Sequence, residues 1–344
     1  MLRLLSEGTL FAADKNGNKI EDIFFPIIKI IREEIKGENY EFVISDDDKN
    51  IDIYLNNILN KSITRNEFSN QSEYLYNQIL SNEQRAFQID KTQEFMESIG
   101  CRQIKAPSTD KSDINIKLKD VQTGYSSSYG FSIKSQLGSP STLVNAAKST
   151  NFIYKVSGLS DSDIAEVNSI TCKNKIKERM EFIFNNATKV EFHQLYNDTF
   201  ARNLMLIDSK MPELVSSALL EHYRSGIDKC KDVVTVIEAL DPLCFRSHGF
   251  YEYKFKKMLC SCALGMTPAK EWTGVDEASG GYIIVNTKAE VLAYHIYNRN
   301  SFESYLLNNT KFEHASTSRH DYAKLYKTNG ETFLNLNLQI RFSK

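Results

Sequence analysis

The chain has 344 residues, 41% hydrophobic and 25% charged, with 42 Lys and Arg against 44 Asp and Glu, a formal charge of -2. At about 150 residues per domain this length makes two or three domains, or one large domain with a satellite, and such a chain buries a core without staples. The near-neutral sum excludes a protein that grips a polyanion by bulk charge, although a local basic groove can sit on a neutral chain.

Asp22 to Glu34 reads as an apolar helix, with Pro26 in its first turn and Gly37 as its stop. Tyr40 to Ile44 is extended, and Asp46-Asp47-Asp48 beside it lacks calcium-loop spacing, so it reads as a solvated turn. Ser81 and Gln84 stand in capping-box spacing ahead of a helix carrying Ala86, Ile89, Phe95, Met96 and Ile99, ended by Gly100. Cys101 to Ala106 reads as a strand, followed by a polar loop. Asp113 to Leu118 alternates strictly, with Ile114, Ile116 and Leu118 on one face and Asp113, Asn115 and Lys117 on the other. After a Gly/Ser/Tyr turn, Gly130 to Ser135 alternates again, Phe131 and Ile133 opposing Ser132 and Lys134. A short helix near Thr142 to Lys148 and a strand from Phe152 to Val156 complete the order helix, strand, hairpin, helix, strand.

Further on, Asp163 to Asn186 and Pro212 to Arg224 look helical. Gly281 to Val285 and Val291 to Tyr297 form a hairpin with Asn286 to Glu290 as its turn, and a helix runs from Asn300 to Leu307. In the tail, Tyr322 to Lys327 and Phe333 to Phe342 flank Asn329-Gly330, the strongest short turn signal in the chain. Alternation of Leu334, Leu336, Leu338 and Ile340 with Asn335, Asn337, Gln339 and Arg341 gives one buried face and one wet or ligand-facing one. Trp272 reads as a core anchor, and His193, His222 and His314 as structural or surface residues. The six cysteines form no CxxC pair and read as reduced thiols. No apolar run approaches the ~18 residues of a membrane span, and the first residues turn polar too soon for a signal peptide. The expectation is a cytoplasmic protein with no membrane partner.

Asp113 opens one strand and Lys134 lies in the next, both on the polar face. There, Asp113 and the Ile133 carbonyl are oxygen ligands suited to Mg²⁺, and the Lys134 ammonium can orient an attacking water and offset charge on a phosphorane-like transition state. On spacing alone, a solvent-facing cross-strand Asp–Lys ion pair accounts for the same residues.

Thr109-Asp110-Lys111-Ser112-Asp113-Ile114 resembles the first half of the PD-(D/E)xK nuclease motif, and Ser132-Ile133-Lys134 its second half with Ser132 in the acidic position. A helix carboxylate, Glu73, Glu83 or Glu94, would supply the missing acid. Longer segments resemble the HpaII family of type II restriction endonucleases: Tyr129 to Gly138, Thr142 to Ala146, Leu264 to Pro268, Gly280 to Val285, Tyr294 to Arg299, Ser316 to His320 and Leu336 to Phe342. The resemblance covers nearly the whole chain. It implies an α/β (α+β) restriction-endonuclease-like core, a mixed sheet flanked by helices, with residues 1–70 an N-terminal helical region, 71–160 the catalytic core and 161–344 a mixed region for DNA recognition. It implies Asp113, Ser132 and Lys134 as catalytic residues, with Asp113 and Ile133 holding Mg²⁺. The substrate would be double-stranded DNA at a short palindrome, by family CCGG, blocked by cytosine methylation, with a cognate cytosine-5 DNA methyltransferase as genetic partner and a homodimer on DNA. The alternatives are a sequence-specific DNA-binding protein with a degenerate nuclease core, and a structure-selective repair nuclease.

Guanine O6 and N7 suit a bidentate Arg or Lys in the major groove. Arg246-Ser247-His248 and Ser318-Arg319-His320 are two echoing clusters of that kind, and Gln136 follows Lys134 closely enough to reach the site. Lys254, Lys256 and Lys257 form a basic run that would track the backbone. The neutral sum would then hide segregated charge, with Lys117, Lys119, Lys134, Lys148 and Lys155 crowding the core.

Overall fold

The computed structural model describes residues 1–82, 87–102, 112–121, 123–246, 248–295 and 299–343. The chain divides into two compact units, Met1–Ser139 with Asp276–Phe302, and Pro140–Val275 with Glu303–Lys344. In chain order, the first segment holds α1 (Leu2–Glu7), β1 (Thr9–Ala13), β2 (Lys19–Ile35), β3 (Glu38–Ile44), β4 (Asn50–Leu55), β5 (Ile58–Thr64), α2 (Arg65–Ser81), α3 (Asp90–Ser98), β6 (Ile114–Lys119) and β7 (Ser126–Ser135). The second unit opens with β8 (Thr142–Val144), β9 (Asn151–Ser157), α4 (Asp161–Ser169), α5 (Lys175–Asn186), β10 (Lys189–Leu195), α6 (Asp198–Ile207), α7 (Met211–Ser225), α8 (Cys230–Leu240) and α9 (Phe250–Leu264). The chain returns to the first unit with β11 (Gly281–Val285) and β12 (Val291–His295), and α10 (Arg299–Asn309) leads to β13 (Thr310–Phe312), α11 (Thr317–His320), β14 (Leu325–Thr328), β15 (Glu331–Asn337) and β16 (Ile340–Phe342).

The first unit is built on one mixed sheet of order β1-β12-β11-β7-β6-β2-β3-β4-β5, in which β1 pairs with β2 as well as with β12. The β7–β11 and β1–β12 pairings are parallel. Its core joins Leu4 and Leu5 of α1 and Phe68 of α2 to Ile30, Phe42, Ile53, Ile116, Phe131 and Ile283 of the sheet, all fully buried. Phe68 meets Phe95 of α3 edge-on at 5.4 Å.

The region expected to be helical is mainly sheet: residues 1–64 hold five strands and one six-residue helix. Asp22 to Glu34 lies in the 17-residue strand β2. Its buried residues are Phe25, Ile27, Ile30 and Glu34, and the spacing from 27 to 30 to 34 is the helical one. The bulge between Ile27 and Lys29 against β6 produces it: it moves the buried side from odd to even positions, and Ile30 and Glu34, four apart, then share one parity. Each extra residue transfers the buried position to the other parity, so a bulged strand imitates a helix.

Other expectations change as well. Ser81 ends α2, its hydroxyl donating to Gln78 O, and does not cap α3; Gln84 and Ala86 lie outside the described residues, as does most of the strand expected at Cys101 to Ala106. Thr142 to Lys148 holds a short strand, because Thr142 and Val144 pair with β16. Asp163 to Asn186 breaks into α4 and α5. Phe152 to Val156 does form a strand, but β9 belongs to the second unit's sheet, β10-β9-β15-β14, and β11 is the neighbour of β7. Trp272 is a half-buried loop residue whose indole N–H donates to Val275 O at 2.9 Å.

The Asn329-Gly330 turn forms as expected, with φ of 53° and 80° suited to a tight hairpin. The wet face of the last strand forms in part: Asn335, Gln339 and Arg341 are partly exposed, but one position departs from it. Asn337 is buried, its amide donating to Ala147 O at 2.7 Å, Thr150 Oγ1 at 3.1 Å and Asn151 Oδ1 at 2.7 Å. The alternation also spans two sheets, because β16 joins β13 and β8. The basic run on α9 is offset within its unit: Lys254 pairs with Asp208, Lys256 with Glu252 and Lys257 with Glu303. Lys148 and Lys155 also belong to the second unit. Among the described residues no helix is long and apolar enough to cross a membrane.

Two expectations follow from packing. A Cβ on Gly280 would lie 2.7 Å from both the Phe131 ring and Tyr129 Cβ, so Gly280→Ala should cost about 1–3 kcal/mol in urea unfolding. In the second unit, His222 is buried, stacked on Phe312 at 5.1 Å, with its Nδ1 2.7 Å from Ile227 O. Burial lowers its imidazole from 6.5 to about 4, and His314 adds to the effect. The unfolded chain therefore takes up a proton before the folded one does. Stability should fall as pH drops from 6.5 towards 4, by on the order of 3 kcal/mol from this group, and level off below. Denaturant titrations across that window should show a clearly smaller slope for His222→Phe.

Candidate active site

Strand β6 alternates as its sequence requires: Ile114, Ile116 and Leu118 are buried, Asn115 and Lys119 exposed, whereas β7 buries Gly130, Phe131 and Ser132 in a row and leaves Ile133 and Lys134 half-buried. Antiparallel register sets Ile114 opposite Phe131. Along β7 the backbone serves two neighbours in turn. Phe131 O accepts from Asp113 N–H at 2.8 Å on the β6 side, while Gly130 O accepts from Gly280 N–H at 2.8 Å on the other, as Gln136 N–H donates to Val285 O at 2.8 Å.

Ile133 continues the β6 side, but β6 starts only at Ile114. The Asp113 carboxylate fills the place of the absent ladder partner. Its Oδ2 accepts from Ile133 N–H at 2.7 Å and from the Ser132 hydroxyl at 3.2 Å. The N–H and C=O of one extended residue leave the strand on the same side, so the Ile133 carbonyl faces the edge where this carboxylate stands. Ser132 is buried, Asp113 exposed and Lys134 half-buried. The two-residue period puts Lys134 on the same face as Ser132. Its ammonium lies 5.8 Å from the centre of the Tyr282 ring. The strand pair thus assembles Asp113, Ser132, Ile133 and Lys134 in one place.

A hard divalent cation takes oxygen donors and keeps several waters. Among the described residues, Asp113 Oδ1 accepts no protein hydrogen bond, and the neighbouring Ile133 supplies a carbonyl. This small set fits Mg²⁺ with its remaining positions left to water and phosphate oxygens. Ser132 is engaged with Asp113 rather than free to ligate. Among the described residues no three Asp, Glu, His or Cys side chains gather into a metal-sized group. Glu73 on α2 and Glu94 on α3 are exposed, and neither hydrogen-bonds to Asp113; Glu83 lies outside the described residues, as do Thr109 to Lys111.

Gln136 follows directly from β7, its side chain exposed. The other expected DNA-reading residues belong to the second unit. Arg246 and His248 sit in the turn before α9 with φ of 61° and 88°. The Asp241 carboxylate shapes that turn by accepting the N–H groups of Phe245 and Arg246 at 2.8 and 2.9 Å. Both side chains are exposed. Arg319 and His320 close the four-residue α11, which Asn151 ties down by donating to His320 O at 2.9 Å. Sequence reasoning gave Tyr282 no role of its own. The usable signal was Gly280-Gly281 ahead of an apolar run, which marks a strand whose backbone closes tightly on its neighbour.

Against known families, residues 1–342 match the model of the HpaII restriction endonuclease. The chain is also 40% identical over 348 positions to the type II restriction enzyme HpaII of Haemophilus parainfluenzae, covering 99% of this chain and 95% of that one. No solved structure matches. Similarity over the full length makes this protein an enzyme of the type II restriction class. The chain belongs to the HpaII restriction endonuclease family.

Proposed function

We propose that this protein cleaves double-stranded DNA at a short palindrome, CCGG, by Mg²⁺-dependent phosphodiester hydrolysis, and that cytosine methylation of the site blocks it. The reading is supported by one coincidence: family membership along the whole chain meets a strand pair that carries Asp113 and Lys134 on one edge and face. The hairpin is read as a PD-(D/E)xK core with Ser132 at the acidic position and with β11 as the strand beside β7.

In this reading Asp113 Oδ1 and the Ile133 carbonyl would hold Mg²⁺, which would supply Lewis-acid stabilisation of the charge at the phosphate. The Ile133 N–H and the Ser132 hydroxyl fix the Asp113 carboxylate in one orientation. Lys134 orients the attacking water and offsets the charge that gathers on the phosphate oxygens. A P–O bond to water forms as the bond to the departing sugar oxygen breaks, and that oxygen takes up a proton. Arg246 with His248 and Arg319 with His320 are the candidate readers of guanine edges, and Gln136 a contact near the scissile phosphate. Two strands cut in a palindrome call for two active sites, hence a homodimer on DNA. Such an enzyme requires a cytosine-5 methyltransferase to protect the host.

Incubation with unmethylated plasmid and Mg²⁺, followed by sequencing of the ends, should give a single palindromic site; random nicking, or no cutting with any divalent ion, would overturn the reading. Lys134→Ala should lower the cleavage rate at least about 100-fold while DNA binding persists, and binding without turnover in the native chain would favour a degenerate nuclease core. Asp113→Ala should be equally inactive. Ser132→Ala, which removes only the 3.2 Å bond to Asp113, should cost less than about tenfold. Plasmid methylated at the site's cytosines should resist digestion, and equal cutting of both forms would count against it.

A further inference from the structure

We propose that Tyr282 is a positioning residue that holds the Lys134 ammonium in place through the face of its ring. The inference rests on the reading of Lys134 as the catalytic cation and deepens it.

The parallel register of β7 and β11 sets Ser132 beside Tyr282 and Lys134 beside Ile284. Side chains beside one another in a sheet share a face, so Tyr282 lies on the Ser132–Lys134 face, one residue pair back from the lysine. The Lys134 Nζ stands 5.8 Å from the ring centroid, within reach of the attraction between a cation and the negative face of an aromatic ring. The ring itself has little freedom. Tyr282 is 1% exposed, Phe302 packs on it at 5.1 Å and 41°, and Tyr294 stacks on Phe302 at 5.7 Å and 30°. Tyr294 is pinned in turn by donating to Asp14 O at 2.5 Å. Gly280 lets β11 approach β7 closely enough for this, since its Cα lies where a Cβ would strike Phe131.

A lysine has a long flexible stem, and its ammonium has to stay at one spot to meet a phosphate. A carboxylate would hold it at the expense of its charge. An aromatic face attracts a cation without neutralising it. The tyrosine hydroxyl is not needed for this effect, so the ring alone should carry it.

The test exploits that distinction. Tyr282 is replaced by Phe and then by phenylalanines carrying one, two and three ring fluorines, which keep nearly the same shape while weakening the ring's negative face. Single-turnover cleavage of supercoiled plasmid is measured at saturating Mg²⁺ together with KM and DNA affinity. Tyr282→Phe should cleave at close to the native rate. The logarithm of the rate should then fall stepwise with fluorination, by about 3- to 30-fold in total, with KM and affinity unchanged. Tyr282→Leu, checked for an intact fold by its melting curve, should lose at least as much. Lys134→Ala runs alongside. A flat fluorine series with an inactive Lys134→Ala overturns this inference alone. A Lys134→Ala variant that cleaves normally overturns the reading of Lys134, and this inference with it.

Discussion

The parallel pairing of β7 with β11 carries the first unit. Parallel strands cannot be joined by a tight turn; they need a connection of a dozen residues or more. Here the connection includes Pro140–Val275, most of the second unit, so the larger part of that unit is inserted between two adjacent strands of one sheet. The pairing works because a glycine on β7, Gly130, accepts from Gly280 beside β11 at 2.8 Å, and a side chain at Gly280 would meet Phe131 and Tyr129. Through this seam residues 276–302 return to the sheet, β12 follows β11 antiparallel, and β12 reaches β1. The same seam brings Tyr282 beside Ser132 and Val285 beside Ser135.

A second constraint acts at the other border of β7. By the register that sets Ile114 opposite Phe131, the partner of Ile133 would be residue 112, two residues before β6 begins, so the N–H of the half-buried Ile133 has no ladder partner there. A carboxylate at position 113 satisfies it, at 2.7 Å, and one of its oxygens stays unengaged among the described residues. The aspartate is therefore both a piece of the ladder and a chemical group, which explains why it sits at the strand's first step rather than within it. Charge follows a similar economy. The lysines of α9 are matched by acids of their own unit, whereas Arg246 and Arg319 are exposed and have no ion pair among the described residues. The near-zero total, 42 basic against 44 acidic residues, says little about where an unpaired cation stands.

Part of this was readable without a structure. The β6–β7 hairpin, β9, α7, the β11–β12 hairpin and the Asn329-Gly330 turn announce themselves through short-range signals: alternation of two, glycine where φ is positive, proline at a helix start. Asp113 and Lys134 were legible as a pair for the same reason, since alternation assigns faces and a hairpin assigns neighbours. β2 was not, because the bulge between Ile27 and Lys29 shifts the buried parity and leaves a helical spacing in the sequence. Strand Thr142–Val144 was not, because its partner lies about two hundred residues away in β16 and no local pattern records it. Asn337 was misread because polarity was taken for exposure; its amide is buried and bonded to three oxygens.

By itself, then, the sequence determined the elements whose stability is local, the alternating faces of the two strands that carry Asp113 and Lys134, and, through resemblance along its length, the family. Tertiary structure alone decided which strands are neighbours: that β11 lies against β7, that β9 belongs to a different sheet, and that an aromatic ring from residue 282 stands beside residue 132. The physical reason is that side-chain periodicity encodes which way a residue faces, whereas pairing between distant strands is settled by the closeness of backbones, by bulges and by the volume of what must fit between them.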